Sequence, residues 1–105
     1  MLNKQTTLYL YRGASSSIDF DFRNFSFNGG KCIFTISSLC KKDKLLQFEF
    51  NESKMYTMII SDEFTASLKD NQYFYSIMYE LGNERYPQCA DSDIIVRNIV
   101  NGTTN

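Results

Sequence analysis

Two carboxylate pairs are the first residues in this chain that could do chemistry: Asp19 with Asp21 in "SIDFDF", and Asp91 with Asp93 in "ADSDI". Two acids facing one cleft are what glycoside hydrolysis needs, one to protonate the leaving oxygen and one to attack or to activate water. The spacing assigns them plainer places. Acids two residues apart in an alternating run share one strand face, here the solvent side opposite Ile18, Phe20 and Phe22. Asp91 and Asp93 read as a turn that caps the last strand. "DSD" could offer oxygens to calcium, but a calcium loop needs further ligands and a glycine at fixed spacing, and these are missing.

The chain has no histidine, which excludes the usual catalytic triads and most zinc sites. The three cysteines, Cys32, Cys40 and Cys89, are an odd number without a CxxC pair and are expected as reduced thiols. None has a legible base or helix N-terminus beside it to lower its pKa. No catalytic, cofactor-binding or metal-ligating residue is therefore expected, and no cofactor. Glycosylation sequons at Asn24, Asn51 and Asn101 have no signal peptide to make them meaningful. The N-terminus lacks an apolar signal region, and no run approaches the roughly 18 apolar residues that span a bilayer. A soluble chain that binds no membrane is expected.

A formal net charge of -1 supplies no basic field for phosphate backbones, so nucleic-acid binding is not expected. Lys41, Lys42 and Lys44 around Asp43 form the nearest basic cluster and read as a solvated loop. At 105 residues the chain is one domain, with residues 6–100 as folded core and 1–5 and 101–105 as tails. Aromatics reach 15%, nine Phe and seven Tyr without Trp, which favours pleated structure that flat rings cover well.

Strands are expected at 6–12, 17–22, 31–37, 45–50, 54–60, 71–81, 84–88 and 93–100. The period of two sorts their faces. Leu8 and Leu10 share one, opposite Tyr9 and Tyr11, and Ile18, Phe20 and Phe22 share one, opposite Asp19 and Asp21. Cys32, Phe34 and Ile36 are the expected inward set of the third strand. Leu46, Phe48 and Phe50 stand against Gln47 and Glu49, and Tyr56, Met58 and Ile60 share one side of the fifth. "FNGG" and Gly82–Asn83 are turn signals, and Pro87 marks an edge or a strand end. "SDEFTASL" carries a serine cap, two acids and helical apolar spacing, which predicts one short helical turn bridging two sheets. The strand at 71–81 is apolar on both faces, with Tyr73, Tyr75, Ile77 and Tyr79 on one and Phe74, Ser76 and Met78 on the other. About eight short strands and one helical turn predict an all-β fold, an antiparallel immunoglobulin-like β-sandwich, with a small barrel as the alternative.

The order of these pieces resembles the N-terminal β-sandwich domain of phage baseplate upper proteins (BppU-like). The matching stretches are "LYRG" at Leu10 to Gly13, "SIDFDF" at Ser17 to Phe22, "CIFTIS" at Cys32 to Ser37 and "LLQFEF" at Leu45 to Phe50. "IISDEFTASL" at Ile59 to Leu68, "YFYSI" at Tyr73 to Ile77 and "DIIVRNIV" at Asp93 to Val100 complete the series. Ala14 stands where the family usually has an acid or Asn, and Asn71 and Gln72 where it usually has Gly. The resemblance implies a non-enzymatic virion structural protein, made in the host bacterial cytoplasm. It would be an adaptor or accessory subunit of the tail, baseplate or neck, with other virion proteins as partners in multiple copies set by virion symmetry. Family members usually continue into helical, receptor-organising segments, so this chain is expected to be the docking module alone.

The residues expected at a protein interface are Tyr9, Tyr11 and Arg12 on the first strand, with Tyr73, Tyr75 and Tyr79. Exposed tyrosines are favoured at such surfaces. For the three later tyrosines the core or its edge is the first reading, and protein contact the second. An alternative function is a capsid decoration or fibre-base protein that meets host glycans through an aromatic face.

Overall fold

The structure, a computed structural model, describes residues 6–40 and 43–98. The tails at 1–5 and 101–105, Lys41 and Lys42, the Asn101 sequon, the strand end at Val100 and the side chain of Asp91 lie outside the described residues. Within them the chain forms β1 (Leu8–Tyr11), β2 (Ser16–Asp21), β3 (Lys31–Ser37), β4 (Lys44–Phe50), β5 (Met55–Ile60), α1 (Asp62–Ala66), β6 (Gln72–Leu81) and β7 (Glu84–Arg97). A five-stranded sheet runs in the order β1-β7-β6-β3-β4, and β2 pairs with β5 in a separate two-stranded sheet. The fold is mostly β with one short helix, as the alternation predicts.

The period-two stripes decide how the layers meet. Phe20 on β2 lies 5.4 Å from Phe34 on β3 and 4.9 Å from Phe50 on β4, ring centre to ring centre, and Phe22 lies 5.2 Å from Phe50. Phe34 stacks in turn on Tyr75 of β6 at 5.6 Å. The two sheets are joined by this aromatic seam, with Met58 and Ile60 of β5 and Ile77, Ile94 and Val96 of the large sheet buried around it. Ser61 accepts a hydrogen bond from the Phe64 N–H at 3.1 Å and so caps α1, which carries the chain from one sheet to the other.

The large sheet is not the antiparallel sheet expected of an immunoglobulin-like sandwich. β1 runs parallel to β7, with Leu8 beside Ile94 and Leu10 beside Val96, so the large sheet is mixed. The reason is that β1 and β7 lie far apart in the chain. No hairpin constrains their relative direction, and the parallel placement puts Leu10, Ile94 and Val96 on one buried face.

The last two expected strands are one. Tyr75 faces Ser92, Ile77 faces Cys89 and Met78 faces Pro87, so β7 accommodates an extra residue at each step without leaving the ladder. Asp91 to Asp93 therefore fall inside a strand and not in a turn that caps one. Pro87 lies on the half of β7 that β1 does not reach, where its missing N–H breaks no ladder bond. The Gly82–Asn83 loop joins β6 to β7, with Gly82 at φ +61°.

"FNGG" closes as a turn with Asn28 at φ +50° and Gly29 at φ +87°, and the Gly30 N–H donates to the Phe27 carbonyl at 2.7 Å. Gly30 is there for space. A Cβ on it would stand 2.5 Å from the Glu80 carbonyl oxygen and 2.8 Å from the Tyr79 ring. Gly30→Ala should lower the free energy of unfolding in urea by about 2 kcal/mol, because backbone must move to admit the methyl group. Gly82→Ala meets open space and should cost only about 1 kcal/mol, from its left-handed backbone. Equal losses at the two positions would remove the close approach as the cause.

Candidate functional site

β1 is one of the two edge strands of the large sheet, with β4 at the other edge, and it is held at both ends by side chains from elsewhere. At its start the Tyr75 hydroxyl donates to the Thr6 carbonyl. At its end the Arg12 guanidinium fans across the chain: Nε donates to the Leu68 carbonyl at 2.7 Å, Nη2 to the Asp70 carbonyl at 2.7 Å and to Asn71 Oδ1 at 2.9 Å, and Nη1 to Asn98 Oδ1 at 2.9 Å. A planar, always charged fork is the side chain that can serve several acceptors at once. The adjoining turn is fixed by Thr65, fully buried in α1. Its Oγ1 accepts the Gly13 N–H at 3.1 Å and lies 3.0 Å from the Ala14 carbonyl.

The pinned strand presents Tyr9 and Tyr11, 49% and 41% exposed, on the face opposite Leu8 and Leu10. The Arg97 guanidinium lies 4.8 Å from the centre of the Tyr9 ring. The Arg12 N–H donates to the Arg97 carbonyl at 2.9 Å. In a parallel pair the bonded residues alternate, so Leu8 and Leu10 turn their backbone groups to β7 while Tyr9 and Tyr11 turn theirs to the open edge. The Tyr11 carbonyl is then taken by the Ala14 N–H at 3.1 Å, which shortens that edge.

Of the residues expected at an interface, the structure brings only Tyr9 and Tyr11 to the surface together. Arg12 is half-buried, and its donors are taken up by acceptors within the chain, where it staples the end of β1 to the segment before β6. Tyr73, Tyr75 and Tyr79 are buried. They share a face with Ile77, which is fully buried, and each hydroxyl has a partner: Tyr73 accepts the Asp70 N–H at 2.9 Å, Tyr75 donates to Thr6 and Tyr79 donates to the Phe27 carbonyl. Because both faces of β6 are apolar in sequence, alternation could not choose the buried one. Phe74 and Met78 lie half-buried on the outward face. Near Met78 and Ile33 the sheet bears a trough of about 200 Å³, edged by Lys44, Gln47, Glu80 and Arg85.

The other chemical candidates are dispersed. Asp21 binds Arg23 through both carboxylate oxygens at 2.9 and 2.8 Å, and this partner holds its carboxyl well below the usual carboxylate range. Asp19 accepts from Thr57 Oγ1 at 2.8 Å, and Asp93 from Gln72 Nε2 at 3.2 Å. Cys32 is fully buried, and desolvation pushes its thiol up to about 11, so it stays protonated. Cys89 is buried 3.4 Å from Ser92 Oγ, and Cys40 is exposed. Among the described residues no group of three or more His, Cys, Asp or Glu converges where a metal could sit, and no helix is long and apolar enough to cross a membrane.

No protein-family model matches the chain, and a search of curated proteins finds no match.

The staple and the thiols are directly measurable. Arg12→Ala should destabilise the fold by about 2 kcal/mol, the scale of charge-assisted hydrogen bonds, and should raise amide exchange in β1. Arg12→Lys should recover only part of both, since one ammonium cannot serve that set of acceptors; full recovery would make charge alone sufficient. A thiol reagent should label Cys40 in the native protein and reach Cys32 and Cys89 only on unfolding. Asp21 is more acidic folded than unfolded, so its contribution is present above pH about 4 and is lost as pH falls below that. Asp21→Asn should flatten the acid limb of a stability–pH curve, and an unchanged limb would dismiss the pair.

Proposed function

We propose that this chain is a non-enzymatic docking module of a phage virion, a small adaptor or accessory subunit of the tail, baseplate or neck that meets neighbouring virion proteins. The observation that carries the reading is β1 itself: a strand edge fixed at both ends by internal hydrogen bonds, offering two tyrosines to solvent. A pre-ordered aromatic edge loses little conformational entropy on docking, and tyrosine combines large apolar area with a hydroxyl for the wet rim. The virion context rests on the resemblance to phage baseplate upper proteins. The sandwich topology of that family belongs to the same proposal, supported by the two facing layers, whereas the parallel β1–β7 pair departs from the antiparallel form. The glycan-binding alternative has less support, because the tyrosine face of β6 on which it depended is buried.

Quantitative mass spectrometry of purified particles, calibrated on the major capsid and tail-tube proteins, tests the context. About six or twelve copies fit a cyclic baseplate or neck position; hundreds would make the chain a capsid decoration protein, and none would end the virion reading. The surface is tested separately. Tyr9→Ala with Tyr11→Ala should leave the far-ultraviolet circular dichroism unchanged and reduce incorporation into particles at least tenfold. Normal incorporation of that variant would remove β1 as the docking strand.

A further inference from the structure

Among the described residues no strand pairs with the outer edge of β5 in the two-stranded sheet. The Phe22 N–H donates to the Lys54 carbonyl at 3.0 Å, just beyond the register in which Asp21 faces Met55 and Phe20 faces Tyr56. In an antiparallel pair the bonded positions alternate, so Tyr56, Met58 and Ile60 turn their backbone groups to β2. Met55, Thr57 and Ile59 turn both N–H and C=O away from it. Their side chains are the exposed ones on this strand, with Ile59 at 58% the most exposed large apolar residue among those described.

The other strand edges carry features that discourage pairing. β2 bears Asp19 and Asp21, and the Arg23 that follows it binds Asp21. β4 bears Lys44 and Glu49, and its register with β3 shifts at Ile36 and Ser37. The free half of β7 bears Glu84, Arg85 and Pro87 beside its bulges. β1 is short, and its Tyr11 carbonyl is already bonded. β5, "MYTMII", has no charge, no proline and no bulge.

We infer that β5 pairs antiparallel with β5 of a second copy of this chain about a two-fold axis through Thr57, joining two β2–β5 ribbons into one four-stranded sheet. The chemistry of the strand is self-complementary in this register. Thr57 lies opposite Thr57 of the second copy, and Met55 lies opposite Ile59, so apolar side chains meet apolar ones at both off-axis positions. Each of these opposed pairs exchanges both N–H···O=C bonds, which satisfies every backbone group that β5 leaves open. An isologous contact closes on itself and stops at the dimer. A two-stranded ribbon is marginal by itself and gains from added strands. The Asp19 side chains, one strand further out on each copy, lie roughly 14 Å apart at ordinary strand spacing, beyond the screening length of about 8 Å at physiological salt. The inference stands on strand geometry and is independent of the virion reading.

Sedimentation equilibrium of the full chain over a range of concentrations should give a reversible dimer. Met55→Lys with Ile59→Lys places like charges directly opposite each other and should weaken that dimer at least tenfold, with unchanged circular dichroism because both positions are exposed. Tyr9→Ala with Tyr11→Ala should leave the dimer intact. In a Cys40→Ser background, Thr57→Cys should form an intermolecular disulfide on mild oxidation, since opposed residues in such a pair lie about 5.5 Å apart at Cα; Asp19→Cys should not. A chain that is monomeric at every concentration, a dimer indifferent to the double lysine variant, or equal cross-linking through position 19 would each overturn the inference.

Discussion

Everything in this fold depends on burying one aromatic seam between two sheets of unequal size. Phe20 on β2 and Phe22 just after it reach across to Phe34 on β3 and Phe50 on β4, and Tyr75 extends the stack into β6. The β2–β5 ribbon is too small to persist alone. Its retention comes from these rings, each removing roughly 2–3 kcal/mol worth of apolar surface from water. Only a strict inward-outward alternation lets a ribbon of two strands contribute so much to a core, so the sequence holds to that alternation and spares few positions for reactive groups.

Where the seam ends, polar side chains take over from packing. The Tyr75 and Tyr79 hydroxyls bond backbone carbonyls at the two ends of the sheet, Thr65 ties α1 to the first turn, and Arg12 gathers the segment before β6 onto β1. Among the described residues no buried side-chain nitrogen or oxygen is left without a partner, as a low-dielectric interior requires. Tyrosine and arginine are here structural groups first. Only where a ring falls on the outward phase of a strand, as Tyr9 and Tyr11 do, is it available to another molecule.

The legible and illegible parts of the site divide along the same line. The inward sets of β2, β3 and β4 follow from alternation because one face of each is apolar and the other mainly polar. β1 sets leucines against tyrosines and β5 carries apolar residues on both faces, so for those two alternation gives the faces and not the choice between them. β6 defeats that logic: apolar side chains occupy both its faces, so Tyr73, Tyr75 and Tyr79 could be assigned to either. Arg12 carried no sign of its role, since its acceptors are the Leu68 and Asp70 carbonyls, more than fifty residues away. The open edge of β5 was present as a pattern, Met55, Thr57 and Ile59 between the inward residues. Whether another strand covered that edge was not written in it.

The sequence by itself determined that this is a β domain, where most strands and turns lie, and which residues of three strands, β2, β3 and β4, face the core. Those properties come from local sterics and from a period fixed by the pleat. The tertiary structure decided the parallel docking of β1 on β7, the fusion of two expected strands into a doubly bulged β7, and which face of β6 is buried. These are pairings between distant segments. Their outcome depends on which surfaces meet once the aromatic seam has formed, and no local pattern encodes that.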